Sequence, residues 1–146
     1  MEIKSSAFEN NGEIPSKYAC DGDEVNPPLT FSNVSENAKS LTLIVDDPDA
    51  PGGTFIHWVL FNIDPKTTEI KENSLPVDSI QGLNSGGRVN YVGPCPPSGT
   101  HRYFFKLYAL DIALDLSDKV SREVLRTAME NHVIEKTELV GSYSRK

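Results

Sequence analysis

The chain has 146 residues, 38% of them hydrophobic, and a formal net charge of −7, which is one domain's length and enough to bury a core without staples. Its acidic balance and scattered Lys and Arg exclude a large nucleic-acid interface, whose affinity comes mostly from phosphate neutralisation, and exclude docking on an anionic membrane. No apolar stretch approaches the ~20 residues of a membrane span, so stable membrane insertion is not expected. The polar N-terminus, residues 1–13, has no signal-peptide core, and a cytoplasmic chain is expected.

In chain order, residues 2–8 suit a short first strand, and residues 14–29 are turn-rich, with Pro15, Asp21-Gly22 and Pro27-Pro28 predicting a loop over the core. A short strand is expected at 31–34. Leu41-Thr42-Leu43-Ile44-Val45 is a continuous β-forming run, the mark of a central strand buried on both faces. It ends at the turn Asp47-Pro48-Asp49-Ala50-Pro51. Residues 55–63 form the second central strand, with His57 nearly its only polar residue. Residues 79–91, rich in Gly and Asn, read as loop, and 103–110 as the third central strand. Residues 117–136 are predicted helical, capped by Ser117, with Val120, Val124, Leu125, Ala128, Met129 and His132 at helical spacing. A last strand is expected at 139–143.

Strands that follow one another without intervening helices do not build a parallel sheet. The expected fold is therefore a mainly β protein: an antiparallel β-sandwich, one domain over residues 1–146, with one principal helix near the C-terminus. Leu43, Val45, Val59, Phe61, Phe105 and Leu107 are its predicted core. Cys20 and Cys95 make neither a disulfide framework nor a metal-finger spacing. Whether they bridge depends on whether the fold brings them together.

Two segments carry the chemistry. One is the Asp47 turn with His57 beyond it; the other runs from Gly93-Pro94-Cys95-Pro96-Pro97 to Gly99-Thr100-His101-Arg102-Tyr103. Residues two apart on a strand share a face, so His101 and Tyr103 point the same way, and Phe55, His57 and Val59 share another face. If the two strands are neighbours, His57, His101 and Tyr103 converge on one pocket. Asp47 and Asp49 then accept a His N–H and fix its tautomer, or bond the ligand. Gly93 and Gly99 let backbone N–H groups approach a ligand closely.

The plainer alternatives are specific. A lone His at a strand end is usually a satisfied structural residue; here two His, two Asp and a Tyr flank Gly/Pro turns, which favours a site. His132 on the helix stripe is expected to be packing, as are Trp58 and the Phe104/Phe105 pair. Arg102 alternates away from His101 and is expected to make a structural ion pair to an Asp of the first motif. A metal site using His57, His101 and a carboxylate matches no metal signature in its spacing. A hydrolase lacks a nucleophile in recognisable context: there is no Gly-x-Ser-x-Gly elbow, and Ser98 and Cys95 stand alone. Two imidazoles, a phenol and backbone N–H groups are hydrogen-bond donors suited to phosphate or carboxylate, so a small-anion pocket is the favoured reading.

At these residues the chain resembles the phosphatidylethanolamine-binding protein family, which includes the Raf kinase inhibitor protein, and most of all its short bacterial and archaeal members. The resemblance runs over nearly the whole chain. It rests on Ile14-Pro15 through Tyr18-Ala19-Cys20-Asp21-Gly22, Asn26-Pro27-Pro28-Leu29, Asp47-Pro48-Asp49-Ala50-Pro51, His57-Trp58, Gly93-Pro94-Cys95-Pro96-Pro97 and Gly99-x-His101-Arg102-Tyr103, in that order. It implies a β-sandwich whose small pocket is lined by Asp47, Asp49, His57, His101 and Tyr103, with Gly93 and Pro94 at its wall. It implies a ligand that is a small anion or the phosphoryl head of a phospholipid; with no nucleophile in context and no metal signature, no catalysis and no cofactor are expected. A regulatory role as an inhibitor of a serine protease or kinase is the alternative it carries, and a homodimer stays open. Phe55 stands where many members have Trp. The chain also ends soon after the expected helix, without the longer C-terminal segment of mammalian members.

Overall fold

The computed structural model describes residues 1–146 and is mostly β, with one short α-helix. Its strands are β1 (Glu2–Lys4), β2 (Gly12–Glu13), β3 (Leu29–Ser32), β4 (Ser40–Asp47), β5 (Phe55–Ile63), β6 (Glu69–Ile70), β7 (Ile80–Gln81), β8 (His101–Leu110) and β9 (Val133–Tyr143); α1 is Arg122–Met129. A six-stranded sheet runs β2-β9-β8-β4-β5-β7, and a three-stranded sheet runs β1-β3-β6. Every pairing is antiparallel except β2 with β9. No helix is long and apolar enough to cross a membrane.

The central run expected at 41–45 is β4, buried along its whole length. It is an interior strand of the large sheet, between β5 and β8, and both its faces are covered by other elements, as a continuous aliphatic run requires. One face supplies Leu41, Leu43 and Val45, which join Phe105, Leu107 and Leu139 of the large sheet to Ile3, Leu29, Phe31 and Ile70 of the small one. This is the sandwich core. The other face supplies Ile44, which packs with Val59, Phe61, Leu110, Leu114, and Leu125 and Met129 of α1. All six predicted core residues are buried.

Three expectations are corrected. The helix is eight residues long and does not span 117–136. Its cap is Ser121, whose Oγ accepts the Val124 N–H at 3.2 Å, and it stops before Asn131, which sits at φ 66°. Asn tolerates that left-handed conformation and ends helices there. His132 is therefore not on a helix; it lies in the turn before β9, half-buried, its Nδ1 on Asp111 Oδ1 at 2.8 Å. The last strand begins at Val133, not at 139, and pairs with β8 from Leu110↔Val133 to His101↔Tyr143. The first strand is confined to Glu2–Lys4.

Cys20 and Cys95, 75 residues apart in sequence, form a disulfide. It ties the 14–29 loop to the segment before β8.

Candidate functional site

The strands carrying His57 and His101 are not neighbours. β4 lies between them, and convergence across it comes from a register fault. Val45 pairs with Trp58, yet Asp46 pairs with Ile56, so His57 is an extra residue in a β-bulge. Bulges bend a strand and re-aim a side chain. Strict alternation would put His57 on the face of Val59, which packs under α1. The bulge instead turns it to the sandwich side, where its ring stacks against Phe55 at 4.8 Å and edge-on to Tyr103 at 5.2 Å.

A pocket of about 190 Å³ opens there, at the end of β4, β5 and β8. Of the residues anticipated from sequence, Asp47, His57, Gly93, His101 and Tyr103 line it. Asp49 and Pro94 do not. The Asp49 carboxylate faces outward and is taken by Arg102, which donates from Nε to Oδ2 at 3.0 Å, from Nη2 to Oδ1 at 2.8 Å and from its backbone N–H at 2.9 Å. Arg102 is the ion-pair partner anticipated from its alternation with His101, and these hydrogen bonds hold the Asp49 carboxyl down at about 2. Pro94 turns its carbonyl away to accept the Cys20 N–H at 3.0 Å.

The pocket's polar groups are held in fixed roles. Asp47 Oδ2 meets His101 Nδ1 at 2.7 Å, and its Oδ1 accepts the Asp49 N–H at 2.8 Å. Asp47 is therefore an orienting group with both oxygens engaged. His57 Nδ1 lies 2.7 Å from the Val92 carbonyl. A carbonyl only accepts, so Nδ1 carries the proton and Nε2 of the neutral ring is bare. Burial lowers the His57 pKa and keeps that ring neutral. Burial, then the charge of Asp47, raises the Tyr103 phenol, which stays protonated. The Gly93 N–H, anticipated as a ligand donor, is used by Glu24 Oε2 at 3.1 Å, and Gly99 lies outside the pocket. What remains for a ligand is the Tyr103 hydroxyl and Nε2 of each imidazole.

Ala50, Pro51 and Val92 line the pocket too but were not legible as such. The Val92 carbonyl fixes a His tautomer, and any residue type carries that group, so no side chain signals it. Cys95 also lines the pocket, with its sulfur held in the disulfide. The remaining wall is Phe55, Pro96 and Pro97, apolar and rigid.

A family-wide sequence profile described as phosphatidylethanolamine-binding protein matches residues 4–144. The chain is 51% identical over 150 residues to a UPF0098 protein of Methanothermobacter thermautotrophicus, covering 99% of each chain. It is 53% identical over 156 residues to another from Pyrococcus horikoshii, covering 100% of this chain and 78% of that one. Its fold matches the crystal structure of a phosphatidylethanolamine-binding protein homologue from Chlamydia trachomatis at a TM-score of 0.96 and 42% identity, covering 99% of this chain and 97% of the other. It matches the crystal structure of Escherichia coli YbcL, described as a new member of the mammalian phosphatidylethanolamine-binding protein family, at a TM-score of 0.92 and 28% identity, covering 99% of this chain and 98% of the other. The chain belongs to the phosphatidylethanolamine-binding protein family.

Proposed function

We propose that this member of the phosphatidylethanolamine-binding protein family is a cytoplasmic binding module for a small anion, a phosphoryl or carboxylate group, and that it regulates rather than catalyses. The observation carrying this reading is the anchoring of both imidazoles through Nδ1, on Asp47 and on the Val92 carbonyl. Two Nε2 atoms and a phenol are left as the polar groups of an otherwise apolar pocket. A pocket of about 190 Å³ is smaller than the ~300–1,000 Å³ of drug-sized sites, so it suits a head group or free anion and not an acyl chain. No Ser, Thr or Lys lines the pocket, and its one thiol residue, Cys95, has its sulfur in the disulfide. That bridge is the feature more usual in oxidising compartments, although hyperthermophiles keep such bonds inside the cell.

With the Gly93 amide committed to Glu24, an anion must be held by Tyr103 and by an imidazole that gains a proton. A bound dianion favours the imidazolium and raises its pKa above the free-protein value. For His57 the sign is clear: burial lowers its pKa in the free protein, so the anion must draw a proton onto the ring. Binding then takes up protons and strengthens as pH falls from about 8 to 6, by up to about tenfold per unit if one proton enters per anion. Sulfate is the probe, because it stays doubly charged throughout. Titration calorimetry should show proton uptake in buffers of differing ionisation enthalpy, a flattened pH dependence in His57→Ala, weaker binding in His101→Ala, and a loss of ~1.5–3 kcal/mol in Tyr103→Phe. Equal sulfate binding by wild type and His101→Ala at every pH would sink the proposal.

A further inference from the structure

The pocket wall from Cys95 to Thr100 has no ladder of its own. None of these residues lies in a strand or helix, and none takes part in a backbone–backbone hydrogen bond. What holds the stretch is the burial of Pro96 and the bridge from Cys95 to Cys20 in the 14–29 loop. The residues just before it are tied differently. The Val92 N–H donates to the His57 carbonyl at 3.0 Å, the Gly93 N–H to Glu24 Oε2 at 3.1 Å, and the Pro94 carbonyl accepts the Cys20 N–H at 3.0 Å. Hydrogen bonds therefore fix residues 92–94, and the disulfide fixes the wall beyond them, where Cys95, Pro96 and Pro97 line the pocket.

The bridge is placed where a reductant can reach it. Cys95 is exposed and Cys20 half-buried, and exposed disulfides are the labile, regulatory kind, whereas structural ones resist the thiol pool. Neither cysteine belongs to the sandwich core or to the cluster under α1, so opening the bridge leaves both clusters in place. In a cytoplasmic chain, as proposed above, a disulfide is more usually a redox sensor than a staple.

We propose that the Cys20–Cys95 pair is a redox switch for the anion pocket. Bridged, the wall is pre-formed and binds; reduced, residues 95–100 come loose and affinity falls. The inference rests on the pocket being the anion site proposed above. The reductant is a dithiol. One of its thiolates attacks Cys95 Sγ, and the Cys20 thiolate leaves and takes up a proton. The second thiol, as its thiolate, attacks the resulting mixed disulfide, Cys95 leaves as a thiolate and takes up a proton, and the reductant departs as its own disulfide. Two electrons and two protons have passed to the protein. An anion then binds only by ordering the released segment again, and that entropy is subtracted from its affinity. The effect is reciprocal: an anion that prefers the bridged wall makes the bridge harder to reduce by the same factor.

Titration calorimetry of the full chain with sulfate, before and after treatment with dithiothreitol, tests the switch. Binding should weaken about tenfold on reduction, an ordinary allosteric coupling. Amide NMR of the reduced protein should show the change confined to residues 19–24 and 95–100, with 41–45 and 103–110 unmoved. In saturating sulfate, against chloride of equal ionic strength, half-reduction should need about tenfold more dithiothreitol relative to its disulfide, a potential lower by about 30 mV. The double variant Cys20→Ser, Cys95→Ser should bind sulfate as the reduced protein does, with or without dithiothreitol. If the bridged protein binds no sulfate, the anion reading fails and the switch with it. If the bridged protein binds and the reduced protein binds as tightly, the switch alone is overturned. Reduction that unfolds the whole chain overturns it too, since the bridge would then be holding the fold and not the wall.

Discussion

Gly93→Ala tests how tightly the pocket wall is built. A Cβ at Gly93 would lie 2.6 Å from the Tyr18 carbonyl oxygen, 2.9 Å from Glu24 Cγ and 3.0 Å from Ala19 Cα. Two of these are backbone atoms, and the carbonyl must retreat by about 0.8 Å to reach ordinary contact near 3.4 Å. That stretch of loop has little freedom to move. The Tyr18 carbonyl accepts from Tyr91 Oη at 2.8 Å, the Cys20 N–H donates to the Pro94 carbonyl at 3.0 Å, and the Cys20–Cys95 disulfide follows. Overpacking of this kind costs ~1–3 kcal/mol, and a hydrogen bond broken to relieve it costs ~0.5–1.5 kcal/mol. Against this stands a gain of ~0.4–1 kcal/mol from stiffening the unfolded chain. The net expectation is a loss of about 1–3 kcal/mol in urea unfolding, with weakened sulfate binding because Gly93 lines the pocket. Gly52→Ala, in the Asp47 turn with nothing within 4 Å of its new methyl, is the matched control and should be neutral or slightly stabilising. If the two variants have equal urea midpoints, the wall is softer than its contacts imply.

Three further outcomes are expected. Leu107→Ala, fully buried in the sandwich core, should cost ~2–5 kcal/mol, measured by the same unfolding curves; under ~1 kcal/mol would misplace the core. Replacing both Cys20 and Cys95 by Ser opens a loop of 75 residues and should cost about 4 kcal/mol by chain entropy, so an unchanged unfolding midpoint would contradict the bridge. Arg102→Ala should cost only ~0.2–1 kcal/mol, because the pair is at the surface. The Asp49 carboxyl is lowered to about 2 by Arg102, so the pair's contribution is present above the ordinary Asp pKa of ~3.9 and is lost as pH falls through about 2. In Arg102→Ala that acid slope should shrink while sulfate affinity holds; a large drop in affinity would bring Asp49 back into the pocket.

The central strands were legible because burial on both faces writes a continuous apolar run, and Leu41 to Val45 has no other stable home. The end of the chain was not, because Val133 to Tyr143 runs apolar and charged residues in pairs with no strict alternation, directly after a helix whose own stripe extends into it. Val133 and Ile134 remain exposed, so they mimic either period. The stop signal is Asn131, whose left-handed backbone ends α1, and Asn is a weaker marker there than Gly. The β-branched Val133-Ile134 two residues on supports a strand that β8 then completes by pairing along its full length.

The site was legible in its residue types and illegible in its register. Alternation correctly set His101 and Tyr103 together and sent Arg102 outward, since β8 runs regularly there. Applied to β5 it fails at one residue, because His57 sits in the bulge opposite the Val45/Asp46 step. A bulge has no reliable side-chain code, and its consequence is large. It lets β5 keep Val59 and Phe61 under the helix while His57 turns toward Tyr103 across an intervening strand. The same step of β4 divides two acids between two faces. Asp47 goes to the imidazole, with both oxygens used; Asp46 goes to the helix side, with one oxygen unused. Consecutive aspartates at the end of an apolar strand are therefore divided between the two faces of this sheet, and only the one flanked by His and Tyr carried a sequence signal for its surroundings.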